Sequence, residues 1–320
     1  MPETYKNTID NSGNKVTFSG RLFGAGDMIF TGSGHTKLFG SNEFTGQTII
    51  KEGKLVIENP NASPSGLITI EKGAQLILNG NDILINTDVY SSNGRIDFKG
   101  ERAHISSKII SEEGQLTFHV DERLSRGAID DDLKYIRPLI QGSISGNGGI
   151  TKIGLGSITL DAVNTYSGPT WVEEGTLEIG SSGKLNKETD VFVNRWDSNL
   201  NETKAKIAFR SDNTISKLQG DGIVELDLDS RLSIGYGETS GDSFTFSGTI
   251  TEGNNSQGSL EKVGQGMASF LGSNTYTGPT VVTSGILRVD GTLSDQTAVN
   301  VKSSAVYKVA NTDTVGSIAG

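Results

Sequence analysis

The sixteen-residue stretch NTYSGPTWVEEGTLEI, Asn164 to Ile179, constrains the fold of this chain more than any other feature, because it is written twice more. NEFTGQTIIKEGKLVI runs from Asn42 to Ile57 and NTYTGPTVVTSGILRV from Asn274 to Val289. Each copy has Asn, an aromatic residue two positions on, Gly, Thr, two apolar residues, a second Gly, and a Leu leading to a last apolar residue. Glycines lie ten and eight residues ahead of each Asn, as Gly32 and Gly34, Gly154 and Gly156, Gly264 and Gly266. Gly26, Gly148 and Gly258 stand six residues earlier still. Self-similarity that holds its register over this length marks a coiled repeat architecture.

The copies begin at positions 42, 164 and 274, at intervals of 122 and 110. The shorter interval reads as five turns of about 22 residues, and the extra 12 in the longer one as an insertion. Gly142 and Gly148 are six apart, whereas Gly248 and Gly258 are ten apart, so four extra residues around Glu252 to Asn255 are expected to bulge from a corner.

Composition agrees with short strands and tight corners. Gly makes up 42 of 320 residues, well above the usual share of about 7 %, and supplies positive φ without steric cost. A formal charge of −10 and the lack of a Lys/Arg run argue against nucleic acid as a partner. With no cysteine there is no disulfide framework and no thiolate metal site. No apolar run approaches the 18 or so residues of a membrane-spanning helix. Met1 to Asn14 lacks the apolar segment of a secretory signal. An exported protein with this start is expected to be represented here by an excised piece, with Met1 added. The end, TVGSIAG, parallels TISKLQGDG and halts near where the next glycine pair would begin, so the C-terminus is expected to fall within a repeat.

Along the chain, VTFSGRLFGAGDMIFTGSGHTKLFG alternates apolar and polar residues between glycines, as does LITIEKGAQLILNGNDILINTDVYSSNGRIDFKG, and period two over four to six residues argues strand. Two segments depart from this. Residues 118–139 carry nine charges and apolar residues at Ile129, Leu133 and Ile136, the spacing of a one- or two-turn helix with Asp130, Asp131 and Asp132 at its start. Residues 194–206, NRWDSNLNETKAK, form a polar loop excursion.

A strand of four or five residues cannot hold itself together, and one copy has too little apolar surface to offset its ordering entropy. Stacking each rung on the next at about 4.8 Å pairs every backbone N–H and C=O above and below. Leu55, Ile57, Leu177, Ile179, Leu287 and Val289 are then expected to point inward as apolar ladders, with each copy's Asn at a corner, bonding to backbone or tolerating a left-handed conformation. The fold class read from the sequence is all-β: a right-handed, single-stranded parallel β-helix over residues 1–320, with about 13 or 14 rungs and excursions at 118–139 and 194–206.

GNGGITKIGLGSITLDAVNTYSGPTWVEEGTLEIG and GSLEKVGQGMASFLGSNTYTGPTVVTSGILRVDG resemble the passenger-associated transport repeat of Gram-negative autotransporters. The resemblance implies a β-helical passenger exported to the cell surface or medium, attached to the outer membrane only through a C-terminal barrel not found in this sequence. Members include adhesins, self-associating biofilm proteins, cytotoxins, and proteases that carry the helix as a stem. Fold transfers across such a family more readily than function.

Candidate chemistry is sparse. His35 occupies the place of Ser157 and Met267 in the other copies and reads as a surface or corner residue; neither HExxH nor a GxSxG elbow is present. GDSF, Gly241 to Phe244, brushes against the Gly-Asp-Ser nucleophile box, but Phe244 replaces the following Gly. Three adjacent carboxylates on one segment do not supply the two opposed carboxyls of a glycosidase. Trp171 stands where Ile49 and Val281 stand and reads as structural. The chain is therefore read as non-enzymatic, without metal or cofactor. Arg123, Asp130, Asp131, Asp132, Arg195 and Trp196 are the candidate contact residues, since aromatic and Arg side chains anchor interfaces. The expected partners are a host surface protein or glycan, or another copy of the protein on a neighbouring cell. A passive stem for a protease or toxin domain, and a carbohydrate-active helix, are the competing readings.

Overall fold

The computed structural model describes residues 5–121, 137–194, 205–253, 256–310 and 312–320. Among these, all regular structure is strand except one 3₁₀ turn, Pro60–Ala62. The chain divides into two compact units, residues 1–168 and 169–320. Both are parallel β-solenoid, and the two hold about 14 turns.

In the first unit one sheet stacks seven parallel strands from Lys6–Asp10 to Ile144–Ser145, and a second runs from Lys15–Phe18 to Gly149–Ile153. The third face is formed by Leu84–Ile85, His104–Ile105, Leu139–Ile140 and Ser157–Leu160, with the pair Phe23–Gly24 and Glu43–Phe44 as a separate small sheet. Met28 pairs with Thr48, Thr48 with Ile68, and Ile68 with Val89, so each turn is slightly shorter than the sequence spacing suggests. Ile109 pairs with Ile144 and His104 with Leu139, offsets of 35 that include residues 122–136, which lie outside the described residues. Phe118 to Val120 and Leu139 are strand residues, so the excursion expected at 118–139 is narrower at both ends.

In the second unit the sheets begin at Thr170–Val172, Thr176–Ile179 and Asn213–Ile215. Leu260 pairs with Thr280 and Thr280 with Val299, offsets of 20 and 19. Glu252 ends the strand Thr249–Glu252 instead of leaving the body, and 254–255 lie outside the described residues. Lys206 opens the strand Lys206–Phe209, which trims the second excursion; 195–204 also lie outside.

Alternation along each strand decides which side chains enter the core. Leu38, Ile57, Leu78, Phe98 and Val120 follow one another in register, one per turn, and all are fully buried. Each such side chain contributes about 1.5–3 kcal/mol over its exposed state. The six positions expected to point inward, Leu55 through Val289, are likewise fully buried. Phe246 and Phe270 are partners in the second unit, with rings edge to face at 6.4 Å.

The paired glycines answer two different demands. Gly32, Gly154 and Gly264 have φ of +88°, +76° and +67°, a region costly for residues with a Cβ. Their partners Gly34, Gly156 and Gly266 sit against the backbone of the turn below; a Cβ on Gly34 would collide with the Asn14 carbonyl, and one on Gly266 would stand 2.9 Å from the Asp242 carbonyl. The head asparagines tie turns together. Asn42 accepts from the Leu22 N–H at 3.2 Å and donates to the Ala62 carbonyl at 2.9 Å; Asn274 accepts from Ile250 N–H at 3.0 Å and donates to the Thr292 carbonyl at 3.0 Å. Asn164 accepts from Ile144 N–H at 2.9 Å. None of the three adopts a positive φ, so of the two roles expected for them only the amide bonding is realised.

The copies are not in phase with the faces. In the first unit the opening strand of copy one, Asp27–Thr31, belongs to the first sheet, but that of copy two, Gly149–Ile153, belongs to the second. In the second unit Thr170–Val172 shares a sheet with Met267–Phe270, while its counterpart in copy three, Thr280–Val282, lies in the six-stranded sheet. The intervals between copies are therefore not whole numbers of turns.

Candidate functional site

The residues that meet solvent are those which alternation turns outward, and stacking converts them into rows with one member per turn. In the first unit the second sheet aligns Lys15, His35, Lys54, Gln75 and Arg95. In the neighbouring column the buried Val56 and Ile77 stand between Lys37 and the buried Asp97, and the position beyond it holds Glu58 and Lys99. Lys37 Nζ reaches Glu58 at 2.7 Å, and this bond holds the Glu58 carboxyl below its ordinary range. Arg95 is forked onto the buried Asp97 carboxylate. His35 is partly exposed in its strand, where partial burial and then Lys54, Lys15, Lys37 and Lys99 lower its pKa.

The first sheet of that unit turns out a different row, Ile29, Ile49, Thr69, Tyr90 and Ile110, all half-buried. In the second unit Trp171 packs flat on Phe192 of the next turn, rings 3.9 Å apart and 7° from parallel, with Gln219 following in register. Carboxylates there are engaged by cations: Glu178 with Arg210 at 3.0 Å, Glu225 with Lys206 at 3.0 Å, and Asp212 with Arg231 at 3.3 Å. Such pairs at the surface contribute roughly 0–1 kcal/mol each.

Two lysines point the other way. Lys152 and Lys262, equivalent in copies two and three, are fully buried. Lys152 Nζ donates to the Ile153 and Gly154 carbonyls at 2.9 and 2.6 Å. Lys262 Nζ donates to the Val263, Gly264 and Ser284 carbonyls at 2.5, 3.0 and 3.3 Å. Each ammonium fills the carbonyl-lined turn at its copy's first glycine; desolvation pulls the pKa of Lys262 down to about 8.

The residues singled out from the sequence fare differently. Arg123, Asp130, Asp131, Asp132, Arg195 and Trp196 lie outside the described residues. Ser243 opens the strand Ser243–Phe246 and pairs with Met267, while Asp242 beside it accepts from the Thr239 N–H and hydroxyl, which lowers its pKa. His119 packs near Asp97, Nδ1 to carboxylate 4.0 Å, and burial lowers its pKa, as it does that of His104. Among the described residues, no three His, Asp or Glu side chains converge as a metal-binding group. Sequence reasoning missed the basic row because each member comes from a different turn, and no local window contains two of them.

The family model of the passenger-associated-transport-repeat matches residues 29–57, 150–179 and 260–289, the three segments that carry the glycine pair, the bridging Asn and the closing strand. The chain carries three copies of a repeat associated with autotransporter passengers. Across 296 residues, 90 % of its length, the passenger is 25 % identical to the "Adhesin BmaC autotransporter" of Brucella suis biovar 1 (strain 1330), covering 8 % of that protein. Over 80 residues, 25 % of its length, it is 39 % identical to the "Extracellular serine protease" of Serratia marcescens, covering 7 % of that protein. The passenger thus spans less than a tenth of the length of the curated relatives it matches. No solved structure matches it. Passengers of this kind are exported to the cell surface or extracellular space.

Proposed function

We propose that this passenger is a non-enzymatic adhesive surface, by which a bacterium holds a host surface or a neighbouring cell. The observation that carries this reading is the set of outward rows, in which polar and basic side chains on one face and mainly apolar ones on another stand one per turn, at a spacing of about 4.8 Å, along several successive turns. A row of that kind engages an extended partner through many modest contacts whose effects multiply between two cells, without a deep pocket. The match to an adhesin along 90 % of the chain supports it. A second reading, a passive stem for a protease or toxin domain, is favoured by the 80-residue match to a secreted protease.

Display of the chain on a non-adherent bacterium, with settling and host-cell binding measured, tests the proposal. Displayed chain is expected to accelerate settling or retain cells on a host layer; no gain in either overturns the adhesive reading and leaves the stem. Deletions of 122–136 and of 195–204, which spare the strands on either side, ask whether the candidate contact residues there are needed.

A further inference from the structure

We propose that the outward face of the second sheet in the first unit binds a linear acidic polysaccharide, laid obliquely across the turns from Lys15 and Lys54, which share one row, to Lys99, four positions further along its own turn. The assignment names the ligand class of the adhesive reading and rests on it. This face is cationic on a chain whose formal charge is −10. Of its carboxylates, Glu58 is held by Lys37 and Asp97 by Arg95. Lys15, Lys54 and Lys99 have no carboxylate within 4.0 Å among the described residues, so their charge is available to a ligand. Lys15 and Lys54 are two turns apart in one row, hence about 9.5 Å at the sheet spacing, a separation on the scale of a disaccharide.

His35 stands between them and records the field: beyond its partial burial, four ammonium groups lower its pKa. The rest of the face suits sugar. Thr17, Gln75 and Asn79 offer hydroxyl and amide groups to ring hydroxyls, and Phe39, 51 % exposed at the margin, offers a ring to sugar C–H groups. Nucleic acid fits less well. The guanidinium that would fork a phosphate is committed to Asp97, and the described residues of the face carry no row of stacked aromatics for bases.

The test uses the 320-residue chain, with heparin and hyaluronan as probes, and dextran and duplex DNA for comparison. Binding to an acidic polysaccharide is expected to weaken by roughly tenfold or more between about 50 and about 300 mM salt, as counterion release requires. The variant Lys15→Gln/Lys54→Gln/Lys99→Gln should lose at least about tenfold in affinity while its thermal transition stays in place, and Lys→Arg at the same positions should retain binding. Equal binding by the Gln variant, no binding to either acidic polysaccharide, or tighter binding to DNA overturns the assignment. Displayed on cells, the Gln variant separates the two claims. Adhesion that survives it removes this face but leaves the adhesive function, whereas wild-type chain that confers no adhesion removes the function itself.

Discussion

Tyr276 Oη and Thr280 Oγ1 share a hydrogen bond of 2.6 Å, and both side chains are fully buried. The first repeat copy has Phe44 where the third has Tyr276, and Thr48 Oγ1, also fully buried, finds no partner. One missing hydroxyl leaves one orphaned hydroxyl. Phe44→Tyr is therefore expected to raise stability by about 1 kcal/mol, and Thr48→Val, which removes the orphan, by a similar amount. Urea unfolding checks both; a loss of stability in both variants would refute the pairing argument.

Asn274 connects three turns through side-chain bonds to Ile250 N–H and the Thr292 carbonyl. Its replacement by Ala removes the acceptor of the Ile250 N–H where Asn274 is 2 % exposed, while the Thr292 carbonyl keeps the Asn274 backbone N–H at 2.8 Å. The expected cost is about 2–3 kcal/mol. Thr275→Ala, at the exposed next position, should stay within about 0.5 kcal/mol. Equal effects from the two substitutions would show that the amide is not a staple.

Lys262 gives a pH signature. Its folded pKa, lowered by burial to about 8, lies below the ordinary value of 10.5, so between these values the unfolded chain binds more protons than the folded one. Stability from this group rises as pH increases through that window and is reduced below it, by roughly 3 kcal/mol across the whole span. Lys262→Met abolishes this difference. Comparing urea midpoints of wild type and Lys262→Met at about pH 7 and about pH 10 should show wild type gaining on the variant; parallel lines would contradict a desolvated ammonium.

Trp171 and Phe192 offer a coupling measurement. Rings 3.9 Å apart and nearly parallel should be worth about 1 kcal/mol beyond their separate burial. A double-mutant cycle with Trp171→Ala and Phe192→Ala reads that term directly. A coupling near zero would place Trp171 as an isolated surface ring.

Much of the fold was legible because it is local. Thr48, Ile50, Leu55 and Ile57 alternate in short runs, and the positive φ of Gly32 and Gly154 belongs to a corner that the glycine itself permits. The bridging role of Asn42, Asn164 and Asn274 could be anticipated from amide chemistry. The buried lysines were also within reach: Ile150 and Lys152 share one parity, as do Leu260 and Lys262, which puts each lysine on the inward side.

The sequence by itself determined that this chain coils: the repeated motif, the glycine corners and the period-two alternation each specify conformation over a short span, and none depends on a distant partner. Tertiary structure alone decided which face each copy occupies and which outward residues become neighbours. The length of a turn is set when ladders close in register, as between Met28 and Thr48 or Thr280 and Val299. A small error in that length, repeated turn after turn, accumulates into a shift of a whole face. That is why Lys15, His35 and Lys54, each unremarkable in its own segment, meet in one row only once the turns are stacked.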